Sequence, residues 1–264
     1  MTKQIYPSDL TDGEWQYLKR CLPKQKQMGR PPIYERREIL NAIFYVVRTG
    51  CAWRYLPTDY PRWKTVYHYF REWRIAGLWK RINRRLRRML RKRTGKQAQS
   101  SAAILDSQST KTMDTAREQT GFDAGKRVKG RKRHILVDTL GLLMVVVVHA
   151  ANISETAGAR LVLTELERRW WRLRLIWLDG GYKLSLSEWV RMLARWRAVK
   201  IEQVKRSDDQ KGFVILPKRW IVERTFGWLV KHRRLSKDYE ALCETSEVMV
   251  YAAMIRLMLS RLDA

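Results

Sequence analysis

AAILD (102–106), HILVD (134–138), LLMVVVVHA (142–150) and LRLIWLD (173–179) are the stretches on which the fold turns. Each is a short, apolar, partly β-branched run bounded by polar residues or glycine, as buried strands are. A fifth run, AVKIEQV (198–204), has the same character. Only TLG (139–141) separates the second run from the third, a connection that fits a hairpin and makes those strands antiparallel. Residues 154–169 (SETAGARLVLTELERR) open on Ser154, a good helix cap, and place Leu161, Leu163 and Leu166 on a helical pattern. Residues 185–197 predict another helix before the fifth run. The order is strand, hairpin pair, helix, strand, helix, strand, helix, which predicts an α/β fold with a mixed five-stranded sheet flanked by helices.

Upstream the pattern is helical. Residues 9–22 (DLTDGEWQYLKRCL) offer Thr11 or Asp12 as cap, carry Trp15, Leu18 and Leu22 at helical spacing, and should end at Pro23. A polar stretch with a loop or arm over Gly29 to Pro32 follows. Ile39, Leu40, Ile43, Phe44 and Val47 form the face of a second helix that stops at Gly50. Trp63, Val66, Tyr67, Phe70 and Trp73 define a third, and Leu78, Trp79, Ile82, Leu86 and Leu90 continue the helical spacing. From Arg71 to Lys96 twelve residues are basic and one, Glu72, is acidic, too lopsided for an ordinary solvated face. KRTGKQAQSS (92–101) reads as a linker. The expected organisation is a helical DNA-binding domain over 1–95, with a helix-turn-helix-like element at about 35–80, and a catalytic domain over 100–264. A last helix over 246–262 is apolar enough for core or dimer packing.

The 264 residues suffice for a sizeable core, and 54 Lys and Arg against 26 Asp and Glu leave a formal charge of +28. Such a chain repels itself unless a polyanion is near, which points to nucleic acid. No apolar run reaches ~18 residues and the first thirty carry no signal-peptide core, so the expectation is a cytoplasmic, nucleoid-associated protein with no membrane partner. Cys21, Cys51 and Cys243 are scattered and odd in number, against both a disulfide framework and a structural zinc site. Twelve Trp residues exclude a disordered basic tail.

Asp106 closes its strand ahead of the polar SQST, and Asp179 closes LRLIWL ahead of Gly180 and Gly181. Strand ends are where α/β sheets keep their sites, although an Asp there also serves as a turn former or helix cap. Glu223 lies in PKRWIVERTFGWLVKHRRL, where Trp220, Ile221, Val222, Phe226, Trp228, Leu229 and Val230 surround the helix and predict that it is largely buried. A buried carboxylate needs a metal ion or an ion-pair partner such as Arg219 or Arg224. Three acids in so basic a chain fit phosphodiester chemistry, in which two Mg²⁺ ions held by oxygen ligands stabilise the attacking and leaving oxygens. Mn²⁺ is the natural substitute.

KRVKGRKR (126–133) is expected to be a loop tracking a phosphate backbone through Lys126, Arg127, Lys129, Arg131, Lys132 and Arg133. Arg30, Arg219, Lys231, Arg233 and Arg234 are further candidate DNA contacts. His68, His134, His149 and His232 lack metal-ligand spacing. Ser107 and Ser109 lack a His-Asp partner set, and Tyr239 is a weak candidate for a tyrosine recombinase. Trp53, Trp63 and Trp73 suit core packing better than base stacking.

The chain also resembles the DDE transposases of bacterial insertion sequences, specifically the insertion-sequence-five family. GRPP (29–32), RTGCAWRYLP (48–57), TVYHYFREW (65–73) and GLW (77–79) carry the likeness in the N-terminal part. ILDSQSTK (104–111), GRKRHILVDTLGLL (130–143), LDGGY (178–182), KGFVILPKRWIVERTFGWL (211–229) and RRLSKDYE (233–240) carry it in the rest. The resemblance implies an RNase H-like fold with Asp106, Asp179 and Glu223 as the metal-binding catalytic triad. Of the signature Tyr-x2-Arg-x3-Glu-x6-Lys only Arg219 and Glu223 match: Leu216 and Val230 occupy the Tyr and Lys positions, and Lys231 falls one residue late. It further implies binding of terminal inverted repeats and target DNA by a homodimer or larger assembly, water attack at the element ends, and attack of the freed 3′-OH on the target. Rival readings are a metal-dependent nuclease or resolvase on the same fold, and a non-catalytic DNA-binding regulator.

Overall fold

A computed structural model describes residues 6–23, 33–113, 116, 119–166, 172–179, 181–182, 185–193, 198–204 and 218–264. Four helices come first: α1 (Asp12–Lys19), α2 (Arg36–Thr49), α3 (Trp63–Ile75) and α4 (Leu78–Arg93). Thr11 caps α1 in a reciprocal box with Glu14, each side chain bonding the other's backbone N–H, and the helix ends at Lys19, short of the expected Pro23. Gly50 closes α2 with φ of 76°, a conformation that the missing Cβ permits.

The strands are β1 (Ala102–Lys111), β2 (Gly121–Asp123), β3 (Val128–Asp138), β4 (Leu143–Ala150), β5 (Leu175–Asp179) and β6 (Lys200–Val204). β3 is antiparallel to β1 on one edge and to both β2 and β4 on the other, while β1, β5 and β6 run parallel. The main order β4-β3-β1-β5-β6 is that of an RNase H-like sheet. The short β2 is an addition that the sequence does not announce. Ser154 caps α5 (Glu155–Glu165), and α6 (Ser185–Met192), α7 (Arg219–Val230) and α8 (Cys243–Asp263) complete the layers.

Two apolar clusters lie on opposite faces of the sheet. Ala103, Leu105 and Leu178 pack with α5 and α6, whereas Ile104 and Trp177 belong with α7, α8 and the N-terminal helices. The alternation is that of any strand. The second of these cores runs unbroken from Leu10 to Leu262, so the helices upstream of β1 share their interior with the sheet. α8 is buried along most of its length and packs on α1, α2, α4 and β4.

α4 is pinned to the hairpin between β3 and β4. Asn83 Nδ2 and Arg87 Nη1 donate to the Leu143 carbonyl at 2.8 and 3.1 Å, and Arg91 Nη1 meets Asp138 Oδ2 at 2.9 Å. The other Asp138 oxygen accepts from the amides of Leu140 and Leu142, closing the turn in which Gly141 takes φ of 80°.

One expectation is overturned here. Residues 126–133 are not a loop, because β3 begins at Val128. Arg131, Lys132 and Arg133 are buried: Arg131 faces Asp238 and the Glu240 and Ala241 carbonyls, Lys132 meets Asp123 and Glu155, and Arg133 donates to the Leu235 and Lys237 carbonyls. Their charge is taken up inside the protein.

Candidate active site

The parallel register that pairs Leu105 with Leu178 carries Asp106 alongside Asp179 at the next step. By strand alternation both side chains fall on the face of Ile104 and Trp177, the face that α7 covers. α7 starts at Arg219 after Lys218, whose φ is 71° and whose ammonium lies 4.0 Å from the centre of the Trp177 ring. Arg219 Nη2 is 3.0 Å from Asp179 Oδ2, and its Nε is 3.1 Å from Glu223 Oε1. One guanidinium thus joins carboxylates from a strand end and a helix.

Asp106 is partly buried. Burial pushes its carboxyl up to about 6, opposed by the Ser107 N–H and the Arg219 charge and reinforced by Asp179. The Ser107 amide donates to Asp106 Oδ1 at 2.7 Å. A partly buried carboxylate beside a second one is a place that calls for positive charge.

Glu223 departs from expectation. It does share a face with Trp220, Gly227 and Val230, but that face is open, and the Glu223 side chain is 53 % exposed. The buried side of α7 is Ile221, Val222, Thr225, Phe226 and Leu229. The ion pair with Arg219, one of the two partners that the sequence offered, is present.

Behind β1, on the α5 face, lies a polar cluster that the sequence did not single out. Ser107 points there because it alternates with Asp106, and its hydroxyl donates to Glu155 Oε2 at 2.6 Å. Glu155 also meets Lys132 at 3.1 Å, His134 at 3.0 Å and Lys126 at 3.5 Å. Burial raises the Glu155 carboxyl, but the bonds from His134 and Ser107 outweigh it and hold the group well below the ordinary carboxylate range. His134 Nδ1 lies 2.8 Å from His149 Nε2, and burial drives His149 down to about 4. Tyr182, just beyond Asp179, is buried and its phenol is raised well above its usual value, by burial first and then by Asp106, Glu155 and Asp179. The one available signal was parity: a polar residue next to a strand acid faces the opposite layer.

The remaining expected contacts scatter. Arg127 and Lys129 are exposed at the β2–β3 turn, where Lys126 also reaches the Ser107 oxygens. Lys231 and Arg233 are exposed, whereas Arg234 is buried against Glu240 and the Cys51 carbonyl. Arg30 lies outside the described residues. Trp73 is buried, and Trp53 packs edge-on to Tyr67 and against Phe70.

Among the described residues no three Asp, Glu, His or Cys side chains are close enough together to hold a metal ion, with Arg219 standing between Asp179 and Glu223. The donors nonetheless suit a hard divalent cation. They offer carboxylate oxygens only, and one of them is a partly buried carboxyl with a second acid beside it.

Asp106 does not close its strand as expected, because β1 runs on through the polar SQST to Lys111 in pairing with β3. It lies midway along β1 beside Asp179, which does end β5, and Glu223 comes from the helix laid across this RNase H-like sheet. The chain belongs to the family described as "Transposase DDE domain", whose model matches residues 97–258. Residues 10–83 match a second model, "Putative transposase of IS4/5 family". The "Insertion element IS402 uncharacterized 16.2 kDa protein" of Burkholderia cepacia is 30% identical over 120 residues, covering 43% of this chain and 77% of the relative. The "Putative transposase for insertion sequence element IS402" of the same organism is 28% identical over 132 residues, covering 47% of this chain and 61% of the relative. No solved structure matches the chain. Among the described residues no helix is long and apolar enough to cross a membrane.

Proposed function

We propose that the chain binds the ends of its insertion sequence as a homodimer or larger assembly and catalyses DNA strand cleavage followed by strand transfer. The observation that carries this reading is the convergence of Asp106, Asp179 and Glu223 around Arg219, although 116 residues lie between the first and the last. Asp106, Asp179 and Glu223 would hold two Mg²⁺ ions, or Mn²⁺ in their place. When bound, such ions polarise phosphoryl oxygens and make bound water or a 3′-OH a competent nucleophile. The protein's own part is to fix the donors: β1 and β5 hold two of them rigidly, and the Ser107 amide orients the Asp106 carboxylate. Glu223, on an exposed helix face, is placed to meet a substrate arriving from solvent. The formal charge of +28 supplies the attraction for DNA.

The test is cleavage and joining of DNA carrying the element ends, with Mg²⁺ or Mn²⁺, for wild type and Glu223→Gln. The expected result is that wild type cuts and joins while the variant binds DNA and does neither. Cutting without joining supports the nuclease or resolvase reading, and full activity in the variant overturns the triad.

A further inference from the structure

The basic residues of α4 divide into two sets with different surroundings. Nine of its sixteen residues are Lys or Arg and none is acidic. Arg87 and Arg91 turn inward and end on the Leu143 carbonyl and Asp138. Arg81, Arg84, Arg85, Arg88 and Lys92 instead line a cleft of about 480 Å³ against the end of α1, with Cys21 at its edge; among the described residues that line it none is a carboxylate.

The lining crowds like charges along one helix face. Arg81 and Arg85, and Arg88 and Lys92, are spaced i, i+4, where like charges repel. Attraction to the negative end of the helix accounts for cations in its last turn, but not for Arg81, Arg84 and Arg85 further back. Two guanidiniums are anchored in place, Arg81 donating to the Ala76 carbonyl and Arg85 to that of Arg20. From Arg81 to Lys92 the helix advances about 16 Å at 1.5 Å per residue, long enough to follow several successive phosphates.

We infer that the cleft between α1 and the outer face of α4 is a binding site for the sugar-phosphate backbone of duplex DNA, with Arg84, Arg88 and Lys92 as its row of contacts. This inference rests on the reading of the chain as a DNA-acting protein. Phosphates relieve the repulsion along the row, and guanidiniums match phosphate geometry through paired donors. Contacts of this kind set affinity and orientation and are indifferent to sequence.

The experiment is the salt dependence of binding to an arbitrary DNA duplex by the full chain, using the triple variant Arg84→Gln, Arg88→Gln, Lys92→Gln. Gln preserves helix propensity. A second triple variant, Arg160→Gln, Arg191→Gln, Lys200→Gln, removes equal charge from surface outside the cleft. Each phosphate contact contributes about 0.9 to the slope of log K against log salt, so the cleft variant should lose about 2–3 from that slope and at least about tenfold in affinity near 0.1 M salt. The control should keep the wild-type slope. In a Cys51→Ser background, duplex DNA should also slow thiol labelling of Cys21. A cleft variant with the wild-type slope, or a control that loses as much, overturns the inference while leaving the proposed function standing. Wild type that binds no DNA overturns both. Preference of the cleft for RNA over duplex DNA overturns the assigned occupant.

Discussion

Arg219 pairs with Glu223 one turn further along α7, at 3.1 Å, and spends the rest of its guanidinium on Asp179 at 3.0 Å. In this geometry a protein cation holds together two acids that the proposed chemistry needs for metal ions. Binding of divalent ions there competes with Arg219, and the competition is measurable without any catalysis. Ligands that bind only the folded state raise its stability. Mg²⁺ should therefore raise the melting temperature of Arg219→Ala more than that of wild type, and should raise that of Glu223→Gln least. Equal shifts in all three would show that Arg219 does not stand where the ions go. Loss of Glu223 should slow strand cleavage on the order of 10³-fold, as expected when several kcal/mol of metal-borne stabilisation is lost at 1.36 kcal/mol per decade.

The Arg91–Asp138 pair predicts stability. Both side chains are almost wholly buried, 5 % and 0 % exposed. Removing one member of such a pair strands the other, which costs about 3–5 kcal/mol. Arg91→Ala should lose that much in denaturant unfolding. Asp138→Ala should lose more, because the Leu140 and Leu142 amides lose their acceptor as well.

Gly158 sets two effects against each other. Alanine in a helix is favoured over glycine by about 1 kcal/mol. A Cβ at this position, however, would clash with His134 Cε1 and lie 2.7 Å from His149 Nε2. The two rings are buried and bonded to each other, so neither yields easily. Gly158→Ala should lower the melting temperature, and a rise would mean that the histidine pair repacks freely.

Glu247 predicts a pH dependence. Burial pushes its carboxyl up to about 7; the Val148 N–H and Lys80 oppose this, and Glu165 and Glu244 reinforce it. A raised carboxyl favours the folded state while it is protonated. Its stabilising contribution is complete below about 4.5 and is lost as pH rises through 7. Glu247→Gln keeps an acceptor for the Val148 amide. The variant should be more stable than wild type at pH 8 by roughly 1–3 kcal/mol, and the difference should fade toward pH 4. A constant difference across that range would overturn the assignment.

Asp179 was legible as a strand end from local composition, whereas Asp106 was placed at an end that it does not occupy: β1 continues through SQST to Lys111 because β3 pairs with it there, which the polar composition of those residues hides. Glu223 was legible as to which residues share its face, but not as to whether that face is covered. Apolar residues ring α7, and only the position of the sheet decides that Trp220 stays outside and Val222 inside. Arg131, Lys132 and Arg133 misled for a related reason. Their burial depends on Glu155, Asp238 and the carbonyls of residues 235–241, partners too distant along the chain for any local pattern to reveal. Glu155 was read only as part of a helix start, since nothing near it in sequence points to Ser107.

α8 is central to the interior of the helices that precede β1, yet it is synthesised more than 140 residues after α4. On the ribosome α1 to α4 expose an oily side that no nearby segment covers, and it is sealed only when α8 emerges. The basic outer face of α4 and the carboxylates of the sheet therefore reach their finished form in one late event. A nascent chain halted before α8 is a candidate for aggregation or proteolysis.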